Sequence, residues 1–519
     1  MARILQSICP MRPMLRLCGS LFFAALSATA QPAKEEKRSV TLNECLQLAL
    51  KHNLDLQIER YAPEIARYNL SGAFGYYDPI FRLGITESDD NFPVRVDPKK
   101  PSVDYAYEVK DTAFAPSLGG RLPTGLSYDI VGAADSLRSW TFGLSSKDFP
   151  PAGGTRQTNE YAGNVTIALR QPLLKNFWID AARQRIRIEK RNLKISELAL
   201  RQQIMNVVTK VQLTYYDLIL AREEVKVQQQ ALELARQLLR DTRRRVEVGD
   251  LPPLDEKQAE SQVETTHATL LAAEQARLER QNVLKSTVSD DFRAWPDVEL
   301  EPTESFTQTV ALVDRDASWQ TALAKRPDLL EFRLELEKRN IAVRYQFNQL
   351  FPSLDLVGSY GARARRETLG ELLDDIGETQ SPSFSYGVVL SVPLSNRSAR
   401  NSYRASQSAR KQAELQLKKL EQEILVQIDI AAKLVLTDFR RVNSTHQARV
   451  FAEAALAAEQ TKLQNGASTS FIVLQLQRNL TDARSAEFRA LSDYNKALAQ
   501  LAFSDGSVLE KDGLEFEVR

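Results

Sequence analysis

Residues 211–249 read VQLTYYDLILAREEVKVQQQALELARQLLRDTRRRVEVG, and residues 428–466 read IDIAAKLVLTDFRRVNSTHQARVFAEAALAAEQTKLQNG. The two stretches share one pattern. Val211, Leu218, Val225, Leu232, Leu239 and Val246 recur every seven residues, and Ile428, Val435, Val442, Leu456 and Leu463 repeat the spacing, broken only at Arg449. A period of 3.5 residues per turn predicts helices wound into a left-handed coiled coil. Each stretch ends on a glycine, Gly249 or Gly466, where a left-handed backbone can end a helix and let the chain reverse.

The repetition extends outward. Ala182 to Leu284 runs in gapless register with Ala399 to Leu501. Upstream, Leu50, Asp55, Leu56, Pro79, Phe81 and Leu83 match Leu323, Asp328, Leu329, Pro352, Leu354 and Leu356 at another constant offset. A duplication on this scale defines two modules, each ordered as short helix, strands, very long helix, turn and long returning helix. From Ala181 to Val248 neither proline nor glycine interrupts the pattern, which predicts a helix of roughly 100 Å. Leu251 to Val288 and Thr469 to Ala502 return alongside.

Period-two alternation marks the strands. Phe81, Leu83 and Ile85 alternate with Arg82, Gly84 and Thr86, and Val165, Ile167 and Leu169 with Asn164, Thr166 and Arg170. In the second module Leu354 and Leu356 alternate, as do Phe384, Tyr386, Val388 and Leu390. Such a sheet has one apolar face, which would be core in a soluble sandwich and lipid-facing in an outer-membrane barrel. Residues 87–160 have no counterpart in the second module; Tyr105, Tyr107 and Val109, then Leu126, Tyr128 and Ile130, fit either an additional hairpin or an extracellular loop.

The first thirty residues carry Arg3, Arg12 and Arg16, an apolar stretch from Leu17 to Leu26 and Ala28-Thr29-Ala30, the pattern of a secretory signal peptide. Its removal would take Cys9 and Cys18, leaving Cys45 alone and no possible intramolecular disulfide. The formal charge of +1 would fall to −2. That balance argues against nucleic acid as a partner. His52, His267 and His446 lie far apart in the sequence, no glycine-rich phosphate loop is present, and Asp290-Asp291 and Asp374-Asp375 read as solvated loop charge. We expect no enzyme activity, no cofactor and no metal.

The expected organisation is a signal peptide (1–30), N-terminal helices (31–78), strands with the extra segment (79–174) and a helical hairpin (175–288). A linker or equatorial region with short structure (289–318) leads to the second set of helices (319–351), strands (352–395) and hairpin (396–503), and a polar tail (504–519) is expected to pack beside that linker. Gln31 to Arg38 reads as a charged leader, Thr41 to Glu44 as a capping box, and Leu54 to Phe74 as one helix. Two strand pairs give about four strands, too few to close a membrane barrel, so several chains would have to share one.

The chain resembles the TolC family of outer-membrane efflux and secretion channels. The resemblance rests on the Thr41–Asn53 opening, Tyr77-Asp78-Pro79, Gln171-Pro172-Leu173-Leu174, Tyr215-Tyr216-Asp217-Leu218 and the turns at Gly249 and Gly466, all in duplicated order. It implies an α+β chain in which long helical coiled coils form a periplasmic tunnel. Three protomers would share a twelve-stranded barrel in outer-membrane lipid. It further implies that hairpin tips formed by Val248, Gly249, Asp250, Leu251, Asn465, Gly466 and Ala467 dock a periplasmic adaptor, which links the duct to an inner-membrane transporter. Lipid would then face Phe81, Leu83, Val165, Ile167, Leu169, Phe384, Tyr386, Val388 and Leu390. The family often narrows its aperture with aspartates after the second turn; the matching positions here are Ile472 and Gln475, while the first module has Asp255 and Glu256. The alternative is a periplasmic coiled-coil scaffold whose strands form a soluble sandwich.

Overall fold

The computed structural model describes residues 36–92, 106–142, 155–249, 251–295, 298–310, 313–511 and 513–514. Two helical hairpins carry its length. α4 (Ala181–Glu247) turns into α5 (Pro253–Val288), and α9 (Arg397–Gln464) into α10 (Ser470–Ser504). At 67 and 68 residues, α4 and α9 each span about 100 Å. Val211, Leu218, Val225 and Leu232 are buried along α4, and Ile428, Val435, Val442 and Leu456 along α9. The break at Arg449 is occupied by a bridge, the guanidinium standing 3.0 Å from Glu453 and 2.5 Å from Glu487.

Short elements belt the hairpins at mid-height. Thr41 caps α1 (Leu42–His52), accepting from the Glu44 amide at 3.2 Å while the Glu44 carboxylate accepts from the Thr41 amide at 3.0 Å. The helix expected from Leu54 to Phe74 is two, α2 (Leu54–Glu59) and α3 (Tyr61–Phe74). Pro63 explains the break, because its ring would clash with the Glu59 carbonyl in a continuous helix. One further expectation is corrected, that of a mobile leader. Glu36–Val40 of the supposed leader is a strand, β1, paired in parallel with β6 (Val298–Pro302), a short element of the linker. The polar tail supplies α11 (Val508–Lys511), whose Val508 and Leu509 are buried in the main core with Tyr215, Ile428 and Tyr494. α6 (Arg315–Lys325) and α7 (Pro327–Asn348) precede the second set of strands.

All remaining strands join one antiparallel sheet in the order β2 (Ile80–Phe92), β3 (Ala106–Arg121), β4 (Ser127–Phe142), β5 (Thr155–Pro172), β7 (Ser353–Arg366), β8 (Pro382–Ser391). A short helix, α8 (Leu369–Gly377), lies between β7 and β8. The extra segment thus supplies a hairpin within the sheet, and among the described residues each chain contributes six strands, the four of the two repeated pairs and these two.

Candidate functional site: a two-faced sheet above two hairpin tips

Strand register sorts the sheet residues by face. One row runs Phe81–Leu118–Ile130–Ile167–Tyr360–Phe384, apolar on all six strands. Leu83, Val165, Leu169, Tyr386, Val388 and Leu390 share its face. Phe384 is 74% exposed and Tyr386 85% exposed, large apolar groups facing nothing in their own chain. Among the described residues no second sheet covers them, as a soluble sandwich requires.

The opposite face is small and polar. One of its rows runs Arg82–Ser117–Val131–Thr166–Gly361–Ser383. This side bears an open groove of about 730 Å³ lined by Arg82, Asp129, Arg170, Ser359 and Ser385. Ser359 and Ser385 share a 2.8 Å hydroxyl contact, and Arg170 stands 2.6 Å from Asp355.

The apolar stretch drifts across the sheet. On β2 it occupies Phe81 to Ile85, at the Phe81 row and away from the helices; on β8 it occupies Phe384 to Leu390, at that row and toward them. Its centre moves about one residue per strand, which for 3.3 Å of rise and 4.8 Å of strand spacing corresponds to a tilt of about 35°. A tilted strand crossing a flat hydrocarbon layer needs that drift.

α8 packs on the apolar face. Thr368 caps it, accepting from the Glu371 amide, and its Leu372 is fully buried over Gly163, with Ile376 beside it. Asp375, expected in a solvated loop, belongs to this helix and pairs with Arg366 at 2.5 Å. Asp290 likewise has a partner, the His52 imidazole at 3.0 Å, which holds its carboxyl below the usual range.

Four of the six strands continue into helices: α3 leads to β2, β5 to α4, α7 to β7 and β8 to α9. The β3–β4 turn instead rests on the junction. Gly125 takes φ +90°, Leu122 donates its amide to Leu126 at 2.8 Å, and Gln171 donates to the Thr124 carbonyl at 3.3 Å. The Arg121 guanidinium lies 5.0 Å over the Tyr76 ring. Beneath, Asp180 caps α4 through the Arg183 amide at 2.7 Å, and Arg183 donates to the Asn176 carbonyl at 2.6 Å. Nothing local in the sequence marked this docking.

At the far end, α9 closes with two linked turns: Gly466 donates to the Leu463 carbonyl at 3.2 Å and Ala467 to Lys462 at 2.9 Å, with φ +73° at Gly466. Gly249 takes φ +85° and donates to Val246 at 3.1 Å. Val248, Asn465 and Ala467 are exposed, Leu251 is half-buried, and Asp250 lies outside the described residues. Arg245 donates to the Leu463 carbonyl at 3.0 Å, tying the tips together beside a groove of about 510 Å³ lined by Leu238, Thr242, Ser470 and Val473. Of the aperture candidates, Glu256 pairs with Arg243 at 2.9 Å, Asp255 is half-buried, and Ile472 and Gln475 are exposed.

Comparison with known proteins matches this geometry. No curated protein sequence matches the chain. Among solved structures, the Campylobacter jejuni CmeC outer membrane channel is 17% identical, with 96% of this chain and 95% of that one covered, at a TM-score of 0.62. The Vibrio cholerae outer membrane protein VceC is 17% identical over 90% of this chain and 96% of its own, at 0.62. The open state of the Neisseria gonorrhoeae MtrE outer membrane channel is 14% identical over 90% and 89%, at 0.61. These likenesses establish a TolC-like fold. The family described as outer membrane efflux protein matches residues 104–288 and 319–507, spanning most of both repeats, and the chain belongs to that family.

Proposed function

We propose that three copies of this chain assemble into a passive export duct, with the sheets forming a barrel in outer-membrane lipid and the hairpins a periplasmic tunnel. One observation carries the reading: each side of the protomer is unfinished from top to bottom. On one side the unpaired edge of β2 stands over α3, whose Tyr61, Ile65 and Tyr68 are exposed, as is Ile58 of α2. On the other, the unpaired edge of β8 continues into α9, whose Leu415, Val426 and Ile430 are exposed. Two different sides that complete each other make a head-to-tail interface, and such an interface forms a ring when the rotation between copies closes. β2 and β8 run in opposite directions, so joining them extends the antiparallel pattern around the ring. Closure also removes both sheet edges, which lipid cannot satisfy.

In this reading lipid contacts Phe81, Leu83, Val165, Ile167, Leu169, Phe384, Tyr386, Val388 and Leu390. The hairpin tips receive a periplasmic adaptor that joins the duct to an inner-membrane transporter, and residues 1–30 direct export and are cleaved. The constriction of the tunnel falls near Asp255, Glu256, Ile472 and Gln475, with Glu256 already neutralised by Arg243. The duct has no catalytic step of its own.

Chemical cross-linking in native outer membranes tests the assembly. A ladder ending at three is expected; one ending at one or two overturns it.

A further inference from the structure

We propose that β3 and β4 are wall strands that widen the outer-membrane segment into an eighteen-stranded barrel, matched in girth to the helical tunnel below. This rests on the trimeric duct proposed above and concerns the width of its passage.

The strands themselves supply the first argument. β3 and β4 are each 16 residues long, and the pair is hydrogen-bonded to β2 on one side and β5 on the other. The apolar row through Phe81 and Ile167 passes through their Leu118 and Ile130, and the opposite face carries their Ser117 and Asp129 beside Arg82 and Ala168. They therefore carry the same inward and outward pattern as the strands around them, which an appended extracellular hairpin would not need.

Perimeter supplies the second. Four helices per copy, α3, α4, α7 and α9, pack side by side at the junction. Twelve helices spaced about 9 Å apart make a ring of about 110 Å. At a tilt of about 35°, eighteen strands make a wall of about 105 Å, whereas twelve make about 70 Å. At the tilt read from this sheet, eighteen strands continue the tunnel without a marked step inward. The β3–β4 turn needs no helix beneath it because Thr124 and Arg121 seat it on Gln171 and Tyr76. A backbone diameter near 34 Å, against about 22 Å for twelve strands, places the barrel with the water-filled porins. Hydrophilic solutes that clear the tunnel then meet no tighter passage in the outer membrane, and the hairpin is the element that sets this.

Spin labels at Ser359→Cys, on the polar face, read the width directly. Cys45 is buried and its thiol is pushed up to about 12 by that burial, so it does not compete for label. In a purified trimer the three labels should stand about 29 Å apart for eighteen strands and about 19 Å for twelve, taking the labels at the wall radius. The longer distance is expected, and the shorter overturns the proposal. A purified protein of monomeric mass overturns the trimer itself, and this proposal with it. A second measurement does not depend on distance. Leu118→Cys should react only with a lipid-soluble maleimide and Asp129→Cys with a water-soluble one. Reaction of both with the water-soluble reagent from outside the cell would place the hairpin beyond the membrane and overturn the proposal.

Discussion

Leu372 of α8 lies over Gly163 of β5, so close that a Cβ on the glycine would stand 3.2 Å from the leucine Cδ2 and 2.8 Å from the Ala133 carbonyl oxygen. The glycine is what allows a helix to lie flat against the apolar face. Leu372 is the one fully buried side chain of α8, so its contact decides whether the helix stays docked. Gly163→Val should lift α8, and Leu372→Ala should loosen it by about 2 kcal/mol or more, as for other buried leucines. Limited proteolysis of intact outer membranes should cut both variants within 369–378 faster than the parent. Equal rates would show that α8 is held by other contacts.

Glu331 on α7 is half-buried, and that burial, with the neighbouring Asp328 and Glu59 carboxylates, raises its pKa from 4.5 to about 7. Between those values the folded chain holds a proton that the unfolded chain has lost, so stability falls as pH rises through this window and remains lowered above it. Glu331→Gln removes the titration. The variant should melt at a higher temperature than the parent at pH 8, and the gap should close as pH approaches 4.5. A gap independent of pH would assign the effect to packing.

How much of this was legible in the sequence depended on how local each signal is. The hairpins were, because Val211 to Val246 places six apolar residues at one spacing and glycine marks the turn. β1 was not: Glu36–Val40 is charged and becomes a strand only by pairing with Val298–Pro302, far along the chain. The alternation at Leu126, Tyr128 and Ile130 was visible, yet membership of the sheet rests on pairing with β5, a contact no window of sequence contains. At the tips the glycines could be read, while the pairing of Glu256 with Arg243 across the turn could not.

The two faces of β5 give a paired test of the membrane reading. Ile167 lies on the apolar face and Thr166 on the polar one, adjacent in sequence and opposite in direction. Lysine at Ile167 should cost about 2 to 4 kcal/mol if that face meets the bilayer midplane, while lysine at Thr166, facing water, should cost far less. Barrel assembly, followed as the heat-resistant trimer on unboiled gels, should fail for Ile167→Lys and survive for Thr166→Lys. Equal damage would favour a sheet buried on both sides.

The hairpin tips separate a structural role from a docking role in the same few residues. Gly249 and Gly466 hold positive φ, yet among the described residues nothing beyond their chain neighbours lies within 4 Å of where their Cβ would stand. Alanine there meets no clash and should cost only the left-handed backbone, about 1 kcal/mol. That loss is small against the burial along α4 and α9, so both alanine variants should assemble and melt slightly below the parent. Val248 and Ala467 are exposed beside them and have little to hold within the chain. If the tips receive an adaptor, Val248→Arg and Ala467→Trp should leave a heat-stable trimer that no longer exports its cargo. Loss of trimer and of export together would reduce these residues to structure. Full export by both variants would move the partner contact away from the tips.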